Sequence, residues 1–158
     1  MELKNRKDII YVFIGGGSKK KLVKDFINFN KSDNILLLPY QPFEDLPDTL
    51  SSASLSFVCL NSKFTGFSVP SKTYGIMATG TPIIGLLDRK SEIGKTIIKY
   101  NCGRIWDYNS DISLGQLILR ILDNKKEINI MRANSLKAFN DNFDLSLSAS
   151  KYLRLINS

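Results

Sequence analysis

Residues 66–84 read GFSVPSKTYGIMATGTPII, and this stretch decides the fold. Its order predicts a loop, a short helix, a turn and a buried strand. Pro70 suits the first helical turn, where a missing N–H costs nothing, and Gly80 with Pro82 ends the helix before an apolar strand pattern. A helix that leads into a buried strand in this way is typical of an α/β protein.

Lys72 falls in the first turn of that predicted helix. A cation there opposes the helix dipole, whose N-terminus carries roughly half a positive charge. An anionic ligand such as a phosphate would account for a residue that the helix alone does not favour. The alternative is an ordinary lysine in contact with water.

Short apolar runs alternate with helical patterns along most of the chain. The predicted strands are Asp8–Ile14, Ile35–Leu38, Leu55–Leu60, Pro82–Leu86 and Gly103–Trp106. Since parallel strands require crossover connections, the alternation predicts a doubly wound, mostly parallel sheet covered by helices on both faces. From Asp111 onward the apolar spacing is helical only, which predicts three C-terminal helices. We expect residues 1–158 to form a single domain.

The composition, 43% hydrophobic and 23% charged, is that of an ordinary globular protein. No apolar run approaches the roughly 20 residues that span a bilayer, and we expect neither a signal peptide nor a membrane anchor. The formal net charge of +7 favours anionic partners such as nucleotide phosphates, anionic lipids or nucleic acid. Nucleic acid is disfavoured because the interleaved aromatic and basic pattern of such surfaces is missing.

The chain has no histidine, which excludes histidine-dependent triads, proton shuttles and metal sites within it. Its two cysteines, Cys59 and Cys102, lack the spacing of metal ligands. Cys59 lies in an apolar strand pattern and is predicted to be a buried structural thiol. We therefore expect no metal site and a reducing, cytoplasmic location.

Three glycines, Gly15 to Gly17, follow the first predicted strand. A dinucleotide-binding G-x-G-x-x-G that began at Gly15 would need glycine where Lys20 stands, and no acidic residue closes the next strand. NAD binding is therefore disfavoured. The glycines serve either a tight turn with positive φ or the close approach of a ligand.

Gly94-Lys95-Thr96 resembles the end of a P-loop, but the rest of that motif is missing. The required glycine five residues earlier is Arg89, and no strand directly precedes the triplet. ATPase function is therefore excluded.

A set of landmarks runs in order along nearly the whole chain. They are Val12–Gly17, Asn34–Gln41, Leu46–Ser54, Pro70-Ser71-Lys72, Tyr74, Met77-Ala78, Gly80-Thr81-Pro82, Ser91–Ile93, Asn101–Gly103 and Met131–Asn134. Together they resemble the C-terminal, donor-binding half of retaining glycosyltransferases with two Rossmann-like domains (GT-B), in group 1. The similarity is greatest to sugar transferases of the colanic-acid type, which make exopolysaccharide and lipopolysaccharide.

This resemblance implies transfer of a glycosyl group from a nucleoside diphosphate sugar to a saccharide or lipid-linked acceptor, in cell-surface polysaccharide biosynthesis. It implies no metal, no other cofactor and no covalent intermediate. The residues that would bind the donor sugar and its phosphates are Gly66, Phe67, Ser71, Lys72 and Thr73. Those that would bind the nucleotide are Gly16, Gly17, Tyr40, Gln41 and Tyr74.

One departure from the family pattern concerns its two glutamates, which have seven residues between them and, by the resemblance, would contact the donor sugar and the ribose. The corresponding positions are Gly75 and Phe67, or Thr65 if a gap is allowed. Neither acid is present, as is often so in the subgroup with Pro-Ser-Lys. We therefore assign no catalytic residue and leave the donor's identity open.

The resemblance also implies that a strand and helix precede Asp8–Ile14, where this chain has only Met1 to Lys7. We expect a donor half that lacks its first strand-helix unit, is inactive alone, and depends on an acceptor-binding domain elsewhere. The alternative is a non-catalytic nucleotide-sugar-binding subunit or a truncated relic. A related epimerase is disfavoured because this half offers no acid/base pair.

The last helices combine apolar faces with Lys137, Lys151 and Arg154. We expect these apolar faces to pack against the sheet. The alternative is weak peripheral contact with an anionic bilayer, at the inner face of the membrane.

Overall fold

A computed structural model describes residue 3 and residues 6–107 and 109–157. Contacts along the chain divide it into two compact units, Met1–Leu46 and Pro47–Ser158. In both units the strands run parallel and are connected through helices. This confirms the predicted α/β class with a Rossmann-like pattern. Of the predicted features, Met1 to Lys7 lie largely outside the described residues, as does the side chain of Lys151.

The first unit is a strand-helix-strand motif. Strand β1 (Tyr11–Ile14) and strand β2 (Ile35–Leu38) are joined by helix α1 (Lys20–Asn30) and pair in parallel, with Tyr11 opposite Ile35. Helix α1 ends at Lys31, whose left-handed φ of 47° turns the chain back toward β2. A crossover helix is the connection that two parallel strands require.

The first unit has few buried apolar side chains. Leu3 and Ile9 are its buried hydrophobic residues in the described part, and α1 has no buried residue. Val12, Phe13 and Ile14 of β1 are each more than 40% exposed. Parallel strands normally have both faces covered. Since these side chains are exposed instead, the first unit has little hydrophobic core of its own.

The second unit contains a three-stranded parallel sheet and most of the helices. Its elements are α2 (Leu46–Ser51, which starts at the boundary), β3 (Ser56–Cys59), α3 (Lys72–Ala78), β4 (Ile83–Leu86), α4 (Glu92–Tyr100), β5 (Gly103–Ile105), α5 (Leu114–Leu122), α6 (Lys125–Asn142) and α7 (Leu145–Ile156). The strand order is β3-β4-β5. The three predicted C-terminal helices are therefore confirmed.

Strand β4 lies at the centre of the second unit, and its neighbouring residues point to opposite faces. Ile83 packs in a cluster with Met77 of α3 and Ile97 of α4. Ile84 packs with Ile121 of α5 and Met131 of α6. All six side chains are nearly or wholly inaccessible to water, and each such burial stabilises the fold by roughly 1.5–3 kcal/mol.

The strand pairings differ from the prediction of one sheet. They form two sheets, β1-β2 in the first unit and β3-β4-β5 in the second. Hydrophobic patterns identify strands, but the order of strands depends on which backbones come within hydrogen-bonding distance. Sequence periodicity carries no information on that choice.

The prediction that Cys59 is a buried thiol is wrong. Cys59 is exposed and Cys102 is buried, and both are free thiols. Cys59 ends β3, where Val58 takes the buried face, so the alternation along the strand turns Cys59 toward solvent.

No helix in the described part of the chain is long and apolar enough to cross a bilayer.

Candidate functional site

The loop before α3 begins with a short 3₁₀ turn, Ser62–Phe64, whose N-cap Asn61 accepts a hydrogen bond from the Lys63 amide at 3.0 Å. Gly66 has a φ of +86°, a conformation that favours glycine, and open space surrounds the position of a Cβ. Phe67 follows it and is 89% exposed. The loop therefore presents a glycine and an aromatic ring to solvent.

Helix α3 begins at Lys72, with Ser71 as its N-cap. Pro70 stands just before the cap rather than inside the first turn, although its carbonyl accepts from the Thr73 amide at 3.0 Å. The Ser71 side chain makes no capping bond, and no acid lies in the first turn. Ser71 and Lys72 are both exposed, and within the described residues neither side chain has a partner. A hydroxyl and a cation are thus presented together.

Thr73, the next residue, is turned into the protein. Its side chain is fully buried, and its Oγ1 has no hydrogen-bond partner among the described residues. The Oγ1 of Thr65, on the other side of the loop, is in the same condition. A buried hydroxyl without a hydrogen bond lowers the stability of the fold by about 1–3 kcal/mol. Contacts within the described residues therefore leave part of the hydrogen-bonding capacity of this segment unused.

Tyr74 packs against Phe143, the residue that caps the C-terminus of α6. Its ring centroid lies 5.1 Å from that of Phe143, at an interplanar angle of 45°. Phe143 also meets Tyr100 edge-on at 6.0 Å. These contacts give Tyr74 a structural role, and its contact with a nucleotide stays a prediction.

The glycine loop of the first unit lies under the ring of Tyr40. A Cβ on Gly15 would stand 2.9 Å from Tyr40 Cε1, and one on Gly16 would stand 3.2 Å from Cε2. Gly15 also has a φ of +110°. The structure therefore brings together two residues of the predicted nucleotide set, Gly16 and Tyr40. It adds Gly15, which lies outside the predicted set.

The remaining members of this set are neighbours in the same unit. Gly17 has a φ of +123° and open space around it. Gln41 is exposed and donates its side-chain amide to the Pro39 carbonyl at 3.0 Å. Tyr40 itself is 78% exposed, so an aromatic face and nearby backbone amides are available to a ligand.

The Gly94 triplet has a structural explanation. Gly94 lies inside α4, and a Cβ there would stand 2.4 Å from the Asp88 carbonyl oxygen. Lys95 pairs with Glu92 at 2.7 Å, and the Thr96 hydroxyl donates to the Glu92 carbonyl at 2.8 Å. These contacts give all three residues structural roles, and the P-loop glycine that would stand at position 89 is an arginine.

The described residues contain no group of three or more histidine, cysteine, aspartate or glutamate side chains that could hold a metal ion. At the positions that correspond to the family's two glutamates, Phe67 is exposed, and Gly75 lies within α3 near Leu50.

Comparison with known proteins identifies the family. Residues 1–138 match the family described as "Glycosyl transferases group 1". The chain belongs to the group 1 glycosyltransferases. The matched part contains both the glycine loop and α3 and ends within α6, so α7 lies beyond it.

This group 1 glycosyltransferase chain is also similar to a protein of Pseudomonas aeruginosa described as probable glycosyltransferase WbjE. The two are 26% identical over 121 residues, which cover 77% of this chain and 30% of the relative. The chain thus matches less than a third of the relative's length.

Proposed function

We propose that this chain is the C-terminal, donor-binding half of a retaining group 1 glycosyltransferase of the colanic-acid type. Its GT-B partner half would bind the acceptor. The reaction would transfer a glycosyl group from a nucleoside diphosphate sugar to a saccharide or a lipid-linked acceptor in cell-surface polysaccharide biosynthesis. Family membership supports glycosyl transfer as the activity. The exposure and surroundings of Ser71, Lys72 and Tyr40 support donor binding as the part that this chain plays.

The observation that carries the proposal is the start of α3. Lys72 is an exposed cation in the first turn, without a partner among the residues that the structure describes, and it lies beside the exposed hydroxyl of Ser71. The helix gains nothing from a cation at that end, whereas a diphosphate would gain an ion pair and a hydrogen bond. Gly66 and Phe67 lead into this segment, and Thr73 supplies a buried hydroxyl that has no partner in the described part of the chain.

Tyr40 supports the nucleotide half of the proposal. Its exposed ring over Gly15 and Gly16 offers a face on which a base can stack, and Gln41 offers amide groups beside it. Gly17 leaves room for the backbone to approach a ligand closely. We assign the base and ribose to these residues, and Tyr74 to the same set.

In this proposal the chain contributes electrostatic stabilisation rather than proton transfer. As the bond to the sugar breaks, negative charge develops on the leaving diphosphate, and a preorganised cation lowers the energy of that state. Neither position that corresponds to a family glutamate is acidic, so no side chain here is assigned as an acid, base or nucleophile. The donor is a substrate, and no metal or other cofactor takes part.

The acceptor-binding domain is proposed to be supplied by another polypeptide or another part of the same protein. A non-catalytic nucleotide-sugar-binding subunit is the second candidate, and the two missing acids favour it. Sugar transfer after addition of an acceptor-binding half would support the first candidate. Donor binding without any transfer in that mixture would support the second.

The proposed location is the cytoplasm, in agreement with two free thiols. Contact with the inner face of the membrane is proposed through α7, where Leu145, Tyr152 and Ile156 are each more than 65% exposed. Flotation with anionic vesicles tests this, and protein that stays entirely unbound would remove the membrane from the proposal. No nucleic acid is proposed as a partner.

Calorimetry with a panel of nucleoside diphosphates and their sugar conjugates tests the donor proposal. For whichever ligand binds, Lys72→Ala should weaken the affinity roughly tenfold, and Lys72→Arg should retain most of it. Lys63→Ala is the matched control, because Lys63 is an exposed lysine of the same loop. Unchanged affinity in Lys72→Ala would remove Lys72 from the site.

A further inference from the structure

We infer that the second unit holds a separate site for a phosphoryl group, where β5, α5 and α6 meet. A hollow of about 360 Å³ opens there, lined in part by Arg104, Arg120, Lys126 and Glu127. This volume falls within the ~300–1,000 Å³ range of small-molecule pockets. None of Gly66 to Tyr74 lines it, so the inference does not depend on the proposed donor function.

Arg104 is held rigidly at this hollow. One guanidinium nitrogen donates to Asn101 Oδ1 at 2.7 Å and to the Gly103 carbonyl at 2.8 Å. Another lies 2.6 Å from Glu127 Oε1. Glu127 is in turn fixed by Asn124, whose Oδ1 accepts from the Glu127 amide at 3.1 Å. A preorganised arginine loses less side-chain entropy when it binds an anion than a free one does.

Arg120 and Lys126 add two cations that have no carboxylate partner within the described residues. Arg120 is in the last turn of α5, and Lys126 is in the first turn of α6, so the short connection between the helices places both beside Arg104. Arg120 and Arg104 also border a larger hollow of about 670 Å³. Among the described residues that line the smaller hollow, Glu127 is the one carboxylate beside Arg104, Arg120 and Lys126, so two positive charges remain uncompensated.

A phosphoryl group matches this charge. At neutral pH a phosphate monoester carries about −1.5 to −2, whereas a carboxylate carries a single charge and would leave a net cation in the hollow. Its oxygens also accept paired hydrogen bonds from arginine. The phosphoryl group can belong to a soluble phosphate compound or to a lipid headgroup, and both present the same chemistry to these side chains.

NMR titration of the full 158-residue chain with pyrophosphate tests the site, because shifts at residues 120–127 are resolved from any at α3. Saturable shifts there, with affinity roughly tenfold weaker in Arg120→Gln, would support a soluble phosphate ligand. In the second arm, flotation with phosphatidate vesicles that falls in Arg120→Gln would support a lipid headgroup.

Lys24→Gln is the matched control, because Lys24 is an exposed cation on α1 of the first unit and its substitution lowers the net charge by the same amount. Thermal unfolding of each variant verifies that the fold is retained. The inference is overturned if pyrophosphate shifts do not saturate at residues 120–127 and vesicle binding is also unaffected by Arg120→Gln. It is equally overturned if Lys24→Gln weakens binding as much as Arg120→Gln, because the attraction would then come from overall charge.

Discussion

Asn134 of α6 donates its side-chain amide to the backbone carbonyl of Asn101, 3.2 Å away. Asn101 ends α4 with a left-handed φ of 47°, and the Cys102 amide that follows bonds back to the Ile97 carbonyl. The contact therefore joins two stretches, residues 101–103 and 131–134, that the family resemblance had singled out separately. Through this hydrogen bond, the two stretches hold α6 against the C-terminal end of α4.

Arg132, on the same helix, is predicted to stabilise the second unit. Its guanidinium donates to the Ala53 carbonyl at 2.9 Å, across 79 positions of sequence and in a partly buried setting. Arg132→Gln should lower the free energy of unfolding by about 1–3 kcal/mol, because a charged hydrogen bond is lost and a carbonyl is left unpaired. Urea unfolding measures this change.

Lys137→Gln is the control for that experiment. Lys137 pairs with Asp141 at 2.7 Å on the exposed face of α6, and such surface pairs contribute little to stability because water screens them. Equal losses in the two variants would contradict a specific role for the Arg132 contact.

The two thiols are predicted to differ in reactivity. Burial raises the pKa of Cys102 to about 11, whereas Cys59 is exposed at the end of β3. Because the thiolate is the nucleophile, iodoacetamide at pH 8 should label Cys59 in the native chain and Cys102 only after unfolding. Mass spectrometry of digested protein measures both sites. Rapid native labelling of Cys102 would contradict the buried position.

Cys102 also gives stability a dependence on alkaline pH. A thiol whose pKa is higher in the folded state favours folding fully below pH 9.0, and this contribution is lost as the pH rises toward 11. The loss is on the order of 2–3 kcal/mol. Since Cys102→Ala has no thiol to ionise, its unfolding free energy should fall less over that interval than that of the unaltered chain. Parallel curves for the two proteins would contradict this.

The sequence was sufficient for the class of fold and for each strand, because apolar runs between helical patterns are local signals. It could not give the strand order. It also could not show that Ser71 and Lys72 are exposed whereas Thr73, their neighbour in the same helical turn, is buried. Which of them is buried depends on what packs against α3, and that is a tertiary property. For the same reason the packing of Tyr74 on Phe143 had no sequence signal. Gly15 could have been found, since a tyrosine at the end of the next strand lies close to a glycine loop.

Donor binding is predicted to be independent of divalent cations. The described residues contain no cluster of acids that would hold a metal, and in the proposal Lys72 supplies positive charge to the diphosphate directly. The affinity for the nucleoside diphosphate found by calorimetry should therefore be the same with magnesium and with EDTA, at matched ionic strength. A loss of binding on chelation, restored by added magnesium, would show that a metal bridges the phosphates.

The first unit is predicted to be the less stable of the two. β1 and β2 each pair with one strand in the described part, and the side chains of β1 are largely exposed, whereas β4 is paired on both sides and buried. Amides of β1 should therefore exchange with solvent much faster than those of β4 in hydrogen-exchange mass spectrometry, because local opening there exposes little new apolar surface. Equal protection of β1 and β4 would contradict this prediction.

The exposed strands of that unit are also predicted to cause association of the isolated chain. Val12 is 48% exposed on β1, and an apolar strand with an unpaired edge is a template for pairing with another chain. Val12→Lys should lower the apparent mass at high protein concentration, measured by sedimentation, because charge on an edge strand opposes such pairing. Asn28→Lys, on the exposed surface of α1, is the control for the added positive charge. A chain that stays monomeric at all concentrations before substitution would show that the β1 edge is not used in this way.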